Sequence, residues 1–166
     1  NLNPLTIHET ENLYPKLADF GLSKIYHQNI DSMTSQSTIG FKGTPIYIAP
    51  EIWQDKKYTK AGDVYAFAMI VYELLTHNEP FKDYNFFTLF SKVIINGERP
   101  KFKYPLPRCY RDLIEKCWSS NPEKRPTFNS IINRLRRNKE FITETIDEIE
   151  YFNYIDFNDH EENSFD

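Results

Sequence analysis

Cysteine is scarce in this sequence, and its histidines are scattered. Only Cys109 and Cys117 occur among the 166 residues, and both fall in a segment with helical spacing. Eight residues of helix separate two positions by about 12 Å, which is too far for a disulfide bond. The four histidines stand at no metal-ligand spacing from one another or from a cysteine. The pattern excludes a disulfide-stapled module and predicts no structural zinc.

Long apolar runs and clusters of basic residues are also missing. No stretch reaches the length of a membrane-spanning helix, and no signal peptide is recognisable. Lysine and arginine are scattered among aromatic residues, whereas a nucleic-acid-binding protein concentrates them in a patch. We therefore expect neither a membrane nor a nucleic acid as partner. Because reduced thiols are typical of intracellular proteins, we expect the cytosol or the nucleus as the compartment.

Negative charge is concentrated at the C-terminal end. Residues 139–166 contain ten acidic residues and one lysine, whereas residues 1–138 carry a net charge of +5. Such a terminus is usually solvated, although a binding module acting through its acidic tail remains one hypothesis. Four apolar residues of this tail have helical spacing and predict one short docked helix: Ile142, Ile146, Ile149 and Phe152.

Apolar residues at positions i, i+3, i+4 and i+7 predict helices over most of the chain after Pro45. The segment 62–77 is apolar nearly all round, which is typical of a central, buried helix. The same spacing recurs at 86–94, at 110–118 and at 128–135, the last with Pro126 in its first turn. With 40% hydrophobic residues, the chain is predicted to form one globular domain that is mainly α. Trp118, at one of these helical positions, is expected to pack in the core.

Four motifs follow one another in a fixed order. A short strand candidate at 15–18 is followed by DFG at 19–21, and then come GTPIYIAPE at 43–51, GDVYAFAMIVYELLT at 62–76 and CWSSNPEKRPTF at 117–128. Together they resemble the C-terminal lobe of a eukaryotic protein kinase, most closely a serine/threonine kinase of the tyrosine-kinase-like group. The resemblance implies a helical lobe over 15–137 with short strands near DFG. We expect residues 1–14 to be a residual upstream segment and residues 138–166 to be an acidic tail.

The resemblance also implies roles for the first motif and the loop that follows it. Asp19, with Phe20 and Gly21, matches the motif whose aspartate coordinates the Mg²⁺ that bridges the ATP phosphates. Residues 22–48 correspond to the activation loop, in which Lys24 is the partner for a phosphate. A polar loop without a switch is the alternative. The candidate phosphorylation sites are Ser32, Thr34, Ser35, Ser37 and Thr38.

Four further residues match structural or substrate-site positions of the family. Thr44 matches the threonine that shapes the site for the substrate hydroxyl, which favours serine/threonine specificity. Glu51 and Arg125 match a buried ion pair that ties the end of the activation segment to the helical lobe. Asp63 matches the aspartate that holds the catalytic-loop backbone, although it is equally an acidic residue at a helix N-terminus.

Several parts of a working kinase are not found in the sequence. No glycine-rich loop, no ATP-binding lysine of strand β3 and no HRD aspartate precedes Asp19. We therefore expect that the N-lobe is absent and that the 166 residues alone are inactive. The parent protein is expected to transfer the ATP γ-phosphate to protein substrates. The alternative is a pseudokinase or half-kinase that binds proteins without catalysis.

Overall fold

The computed structural model describes residues 44–55, 58–142, 147–149 and 151–153, together with the backbone of two short strands. Strand β1 (Ile7–His8) pairs antiparallel with strand β2 (Lys16–Leu17), and Ile7 lies opposite Leu17. Strand β2 falls inside the segment 15–18 that was expected to be extended. The remaining described elements are helical, so the prediction of a mainly α fold with short strands near DFG is confirmed.

Among the described residues, α-helices follow one another between residues 50 and 137. They are α1 (Pro50–Asp55), α2 (Lys60–Thr76), α3 (Phe86–Thr88), α4 (Arg108–Cys117) and α5 (Phe128–Arg137). Short 3₁₀ turns occur at Pro45–Tyr47, Pro122–Lys124 and Lys139–Phe141. Helix α3 continues directly into a π-helix, Leu89–Ile95. No helix in the described part of the chain is long and apolar enough to cross a membrane.

Helix α2 is the central element of the fold. It begins at Lys60 because the side-chain oxygen of Thr59 accepts a hydrogen bond from the N–H of Gly62 at 3.1 Å. It ends at Thr76, where His77 adopts a left-handed conformation with φ of 53°. The helix therefore starts two residues before the predicted segment 62–77 and ends one residue before its end. Its side chains fill the core from several directions, as the apolar pattern predicted: Val64, Tyr65, Ala66, Ala68, Met69, Ile70 and Tyr72.

The side chain of Ile52 in α1 lies directly beside a glycine of α2. A Cβ atom added at Gly62 would lie 2.8 Å from Cδ1 of Ile52, a distance shorter than van der Waals contact. Ile52 itself is buried in the core. The absence of a side chain at Gly62 therefore leaves room for the buried side chain of Ile52 beside the first turn of α2.

Helices α4 and α5 complete the core. Cys109 and Cys117 are both buried and both free, as predicted from their spacing on one helix. Trp118 is buried as expected. The prediction that Pro126 lies in the first turn of α5 is wrong. Thr127 is the N-cap, and its hydroxyl accepts a hydrogen bond from the N–H of Ser130 at 3.2 Å, so the proline stands before the cap.

The segment 86–94, which was predicted to be one regular α-helix, is partly α-helix and partly π-helix. After one turn of α-helix the backbone changes to π-helix, and the N–H of Asn96 donates to the carbonyl of Ser91, five residues earlier. Leu89, Val93 and Ile94 are buried as the spacing indicates. Phe86 and Phe90, which share that spacing, are exposed. The periodicity located the helix but assigned two of its aromatic residues to the wrong environment.

The chain after α5 remains attached to the body. Phe141 is buried in the core, where its ring packs edge-on against Tyr110 with 5.0 Å between the ring centroids. Further along, the hydroxyl of Tyr151 donates to the carbonyl of Leu135 at 2.9 Å. Ile149, which the helical spacing placed on the docked face, is exposed. Phe141 and Tyr151 therefore attach this segment to the helices.

Candidate functional site

Residues 44–50 form a tight turn that leads from the candidate activation segment into α1. The carbonyl of Thr44 accepts a hydrogen bond from the N–H of Tyr47 at 3.1 Å, and the carbonyl of Pro45 accepts one from Ile48 at 3.1 Å. Residues 47–50 are buried, whereas Thr44 is exposed. The turn is thus fixed on the core by its second half, and the threonine expected to face substrate lies at its exposed start.

Tyr47 connects this turn to the C-terminal half of α2. Its hydroxyl donates a hydrogen bond to Oε2 of Glu73 at 2.6 Å. Burial raises the pKa of Tyr47, and the hydrogen bond to Glu73 and the negative charges of Glu73 and Glu79 raise the pKa further. The phenol therefore stays a neutral donor, and it orients the carboxylate of Glu73.

Arg125 and Glu51 lie together although 74 residues separate them in sequence. Both terminal nitrogens of Arg125 donate to the carboxylate of Glu51, each at 2.7 Å. The same guanidinium donates to the carbonyls of Ala61 at 2.8 Å and Ser119 at 2.9 Å. The Arg125 side chain is 0% exposed and that of Glu51 is 14% exposed. This buried, bidentate pair joins the start of α1 to α2 and to the segment before α5.

A second arginine approaches the same place through an aromatic ring. The guanidinium carbons of Arg125 and Arg99 lie 5.2 Å and 5.3 Å from the ring centroid of Tyr65. Arg99 is held there by its Nε, which donates to the carbonyl of Trp118 at 2.8 Å. Cation–π contacts of this kind are stronger in a buried setting than at a surface.

The hydroxyl of Tyr65 has no hydrogen-bond partner among the described residues. Burial raises the pKa of Tyr65 to about 12, although the charges of Arg99 and Arg125 act in the opposite direction. Burial lowers the pKa of Arg99, because it disfavours the charged guanidinium, and the positive charge of Arg125 lowers this pKa further. Burial is therefore the largest cause of the pKa shifts of both Tyr65 and Arg99.

Asp63 stands in the first turn of α2, where an acidic side chain interacts favourably with the helix dipole. Its backbone N–H donates to the carbonyl of Thr59 at 3.3 Å. The side chain is half-buried. This position and burial of Asp63 agree with both roles considered from the sequence. One is an aspartate that holds the catalytic-loop backbone, and the other is an acidic residue that interacts with the helix dipole.

The remaining predicted site residues lie outside the described residues. They are Asp19, Phe20, Gly21, Lys24, Ser32, Thr34, Ser35, Ser37 and Thr38. Within the described ranges there is no group of three or more histidine, cysteine or acidic residues that could hold a metal ion. The structure therefore brings together the predicted pair Glu51–Arg125. It places Thr44 at the start of the turn that precedes α1, and Asp63 in the first turn of α2.

Sequence reasoning missed two contacts of this site. Tyr47 stands within the quoted motif GTPIYIAPE, and a tyrosine in an otherwise apolar run signals a buried hydroxyl that needs a partner. Arg99 is preceded by glycine and glutamate and followed by proline, which signals a tight connection but not a contact with Tyr65. Pairing these residues with their partners required the tertiary structure.

Comparison with known proteins gives a consistent result. The family model described as protein tyrosine and serine/threonine kinase matches residues 7–135. The dual specificity protein kinase shkA of Dictyostelium discoideum is 34% identical over 143 residues, which cover 80% of this chain and 27% of that protein. For shkC of the same organism, also a dual specificity protein kinase, the identity is 36%, with 80% and 28% covered.

A third relative is the probable serine/threonine-protein kinase pats1 of Dictyostelium discoideum. It is 37% identical over 138 residues, which cover 81% of this chain and 4% of that protein. The chain thus spans less than a third of the length of each of these three relatives. The similarity concerns one segment of each relative and not its whole length.

Proposed function

Because the chain belongs to the protein tyrosine and serine/threonine kinase family, we propose that the protein carrying it transfers the ATP γ-phosphate to serine or threonine hydroxyls of proteins. The observation that supports this most strongly is the buried pair of Glu51 and Arg125, with donor–acceptor distances of 2.7 Å. It anchors the end of the proposed activation segment, residues 22–48, on the helical lobe. Phosphoryl transfer depends chiefly on positioning, and a rigid anchor of this kind serves it.

Asp19 is the proposed ligand for Mg²⁺, with Phe20 and Gly21 completing the motif. A carboxylate oxygen is the ligand type that Mg²⁺ prefers. The metal, when bound with ATP, supplies charge stabilisation to the transferring phosphoryl group. The role of the chain's own residues is to hold these partners and to position the substrate segment beside them.

The proposed activation loop carries a regulatory function in addition. A phosphate on one of its hydroxyls adds nearly two negative charges at neutral pH, and Lys24 is the proposed cation that receives it. The candidate acceptors are Ser32, Thr34, Ser35, Ser37 and Thr38. Phosphopeptide mapping of the protein from its native cell tests this role, and an unmodified loop under every condition would remove it.

Serine/threonine specificity is proposed because Thr44 matches the threonine that shapes the substrate site in serine/threonine kinases, and Thr44 is exposed at the start of the anchored turn. The tyrosine-kinase-like group is the proposed affiliation within the family. Phosphorylation of tyrosine as well is a second candidate, since two relatives are named dual specificity protein kinases. Phosphoamino-acid analysis of the product separates the two. For the compartment we propose the cytosol or the nucleus, on the basis of two buried free thiols.

The decisive experiment measures phosphate transfer by the full-length protein with Mg²⁺ and ATP. Asp19→Asn is expected to reduce the rate by at least about 100-fold, because one electrostatic group of the transfer site is lost. Asp83→Asn is the matched control, since Asp83 is exposed and carries the same side chain. Equal rates for both variants would contradict the role of Asp19. A folded wild-type protein without transfer would instead support the non-catalytic half-kinase.

A further inference from the structure

Basic side chains gather in the segment that leads into α4 and in the first turns of that helix. Residues 99–111 include five arginines and lysines and no acidic residue. Arg99 is directed inward, where its guanidinium contacts the ring of Tyr65. The other four form a group that we call the basic surface: Lys101, Lys103, Arg108 and Arg111. Three of these four residues are exposed, and Arg111 is half-buried.

An aromatic contact and the helix geometry bring the basic surface together. The guanidinium carbon of Arg111 lies 5.0 Å from the ring centroid of Phe102, the residue between the two lysines. Arg108 precedes Arg111 by three positions on α4, and residues at this spacing share one face of a helix. The four positive charges therefore lie in one region of the protein surface.

The described part of the chain offers this surface little negative charge. The Nε of Arg108 lies 3.7 Å from the carboxylate of Asp112, and the Arg108 side chain is 93% exposed. An ion pair so exposed contributes little. No acidic side chain among the described residues forms an ion pair with Lys101, Lys103 or Arg111. Electrostatic complementarity therefore favours an acidic polypeptide as the partner.

The chain itself contains a segment of the required charge. Residues 154–166 include five acidic residues and no lysine or arginine. They follow directly on the last described residues, 151–153. Because both partners belong to one chain, their association has no translational entropy to lose, and the effective concentration of the segment is in the range of about 1 mM.

The first part of the tail already contacts the turn of α4 that carries two residues of the basic surface. The thiol of Cys109 donates to the carbonyl of Glu140 at 3.0 Å. The hydroxyl of Tyr110 donates to the carbonyl of Phe141 at 2.6 Å. Residues 140–141 therefore lie beside Arg108 and Arg111, which flank these two donors in the sequence.

The chain then returns to the same place before residue 154. The Nζ atom of Lys139 lies 5.9 Å from the ring centroid of Phe152, and it also forms an ion pair with Glu148. Residue 152 is thus close to residue 139, which precedes the carbonyl bound by Cys109. The thirteen residues that follow span up to about 45 Å when extended. The segment 154–166 therefore begins near the basic surface and is long enough to cross it.

We propose that residues 154–166 bind the basic surface of the same molecule. The acidic side chains of the segment supply the counter-charges that Lys101, Lys103 and Arg111 lack among the described residues. In this position the segment shields the surface from other polyanions. The inference goes beyond the proposed kinase function and does not depend on it, since the binding needs neither ATP nor catalysis.

A peptide supplied in trans tests the complementarity. A fluorescein-labelled peptide of residues 154–166 is titrated with the full-length protein from which these residues are deleted, and fluorescence anisotropy gives Kd. We expect binding that weakens at least about tenfold between about 50 and 200 mM salt, because exposed charges are screened. The intact protein should bind the peptide at least about tenfold more weakly, since its own segment competes. A peptide with all five acidic residues replaced by their amides should not bind.

Charge reversal locates the contact. In the protein without 154–166, the double variant Lys101→Glu with Lys103→Glu is expected to raise Kd at least about tenfold. The matched control is Lys82→Glu with Lys124→Glu, which makes the same change in net charge at two other exposed lysines. The control is expected to raise Kd less than about threefold at about 200 mM salt. Circular dichroism verifies that every variant is folded, and the amide peptide tests the contact without altering the protein.

Cross-linking of the intact protein tests whether the contact forms within one molecule. A carbodiimide joins a carboxylate to a lysine amine only where the two are in contact. We expect cross-links from Lys101 or Lys103 to carboxylates of 154–166. In a mixture of protein with natural isotopes and protein labelled with ¹⁵N, each cross-linked peptide pair should carry a single isotope, because both partners come from one chain.

Each other outcome overturns the proposal. No binding of the peptide, or equal loss in both double variants, would show that the basic surface is not its site. Equal affinity of intact and deleted protein would show that the segment does not occupy the surface in cis. Cross-linked pairs of mixed isotope would assign the contact to a second copy. Vesicles of phosphatidylserine and phosphatidylcholine that bind intact and deleted protein equally, through Lys101 and Lys103, would assign the surface to a membrane.

Discussion

Replacing Arg125 by alanine removes every contact of the buried guanidinium at once. The carboxylate of Glu51 loses two hydrogen bonds of 2.7 Å, and the carbonyls of Ala61 and Ser119 lose one donor each. The carboxylate cannot turn fully into water, since the Glu51 side chain is 14% exposed. A charge left without its counter-ion in such a place destabilises the folded state strongly.

The expected cost follows from this burial. Truncating one partner of a buried pair costs about 3–5 kcal/mol of unfolding free energy. For a chain of this length each kcal/mol lowers Tm by about 2–4 °C, so Tm should fall by about 6–20 °C. The pair of Arg108 and Asp112 is the internal reference, because it is exposed and its N–O distance is 3.7 Å. Arg108→Ala should cost no more than about 0.5 kcal/mol.

The assay is urea denaturation followed by fluorescence, with Tm measured in parallel. Arg125→Lys is expected to be intermediate, since a lysine keeps the charge but cannot bind both carboxylate oxygens in the same way. The double variant Arg125→Met with Glu51→Leu is expected to recover part of the loss, because it leaves no unpaired carboxylate. That recovery separates the electrostatic cost from the cost of a cavity.

The reasoning would be refuted if Arg125→Ala cost as little as Arg108→Ala. It would also be refuted if the double variant were as unstable as Arg125→Ala, because lost packing rather than the stranded carboxylate would then explain the effect. A large loss in Arg125→Ala that the double variant partly restores is the expected result.

Three further predictions concern single buried groups. The pKa of Tyr65 is about 12 in the folded state and 10.0 in the unfolded state, so the folded protein loses stability as pH rises between these values, and denaturation of Tyr65→Phe should show a smaller loss. Burial raises the pKa of Cys117 to about 12 and also raises that of Cys109, so neither thiol should react with a disulfide reagent at neutral pH until denaturant is added. Phe141→Ala should cost about 3–5 kcal/mol in the same urea assay, whereas a similar loss in the exposed control Ile149→Ala would contradict the burial of Phe141.

Much of the fold could be predicted from the sequence because its signals are local. The spacing of apolar residues located α2, α4 and α5, since a helix face is determined by residues three and four positions apart. Helix ends were predicted less accurately, because Thr59 and Thr127 set the starts of α2 and α5 by capping, which the spacing of apolar residues does not reveal. The two cysteines were correctly predicted to remain free.

The site was only partly predictable. The motifs singled out Glu51 and Arg125 before their contact was known, and the structure shows them 2.7 Å apart. The contact of Tyr47 with Glu73 was not predicted, because it joins a turn to a helix 26 residues away. The residues of DFG and the loop after it lie outside the described residues, so their roles remain proposals.

The sequence by itself determined the family, the order of the helices and the buried face of most of them. These properties follow from motif order and from the 3.6-residue period of an α-helix, which act over short distances along the chain. The tertiary structure alone decided which charges became buried, how Phe141 joined the core, and that Phe86 and Phe87 of α3 and Phe90 of the π-helix are exposed. Those properties depend on how elements distant in sequence pack together, and no local pattern specifies that packing.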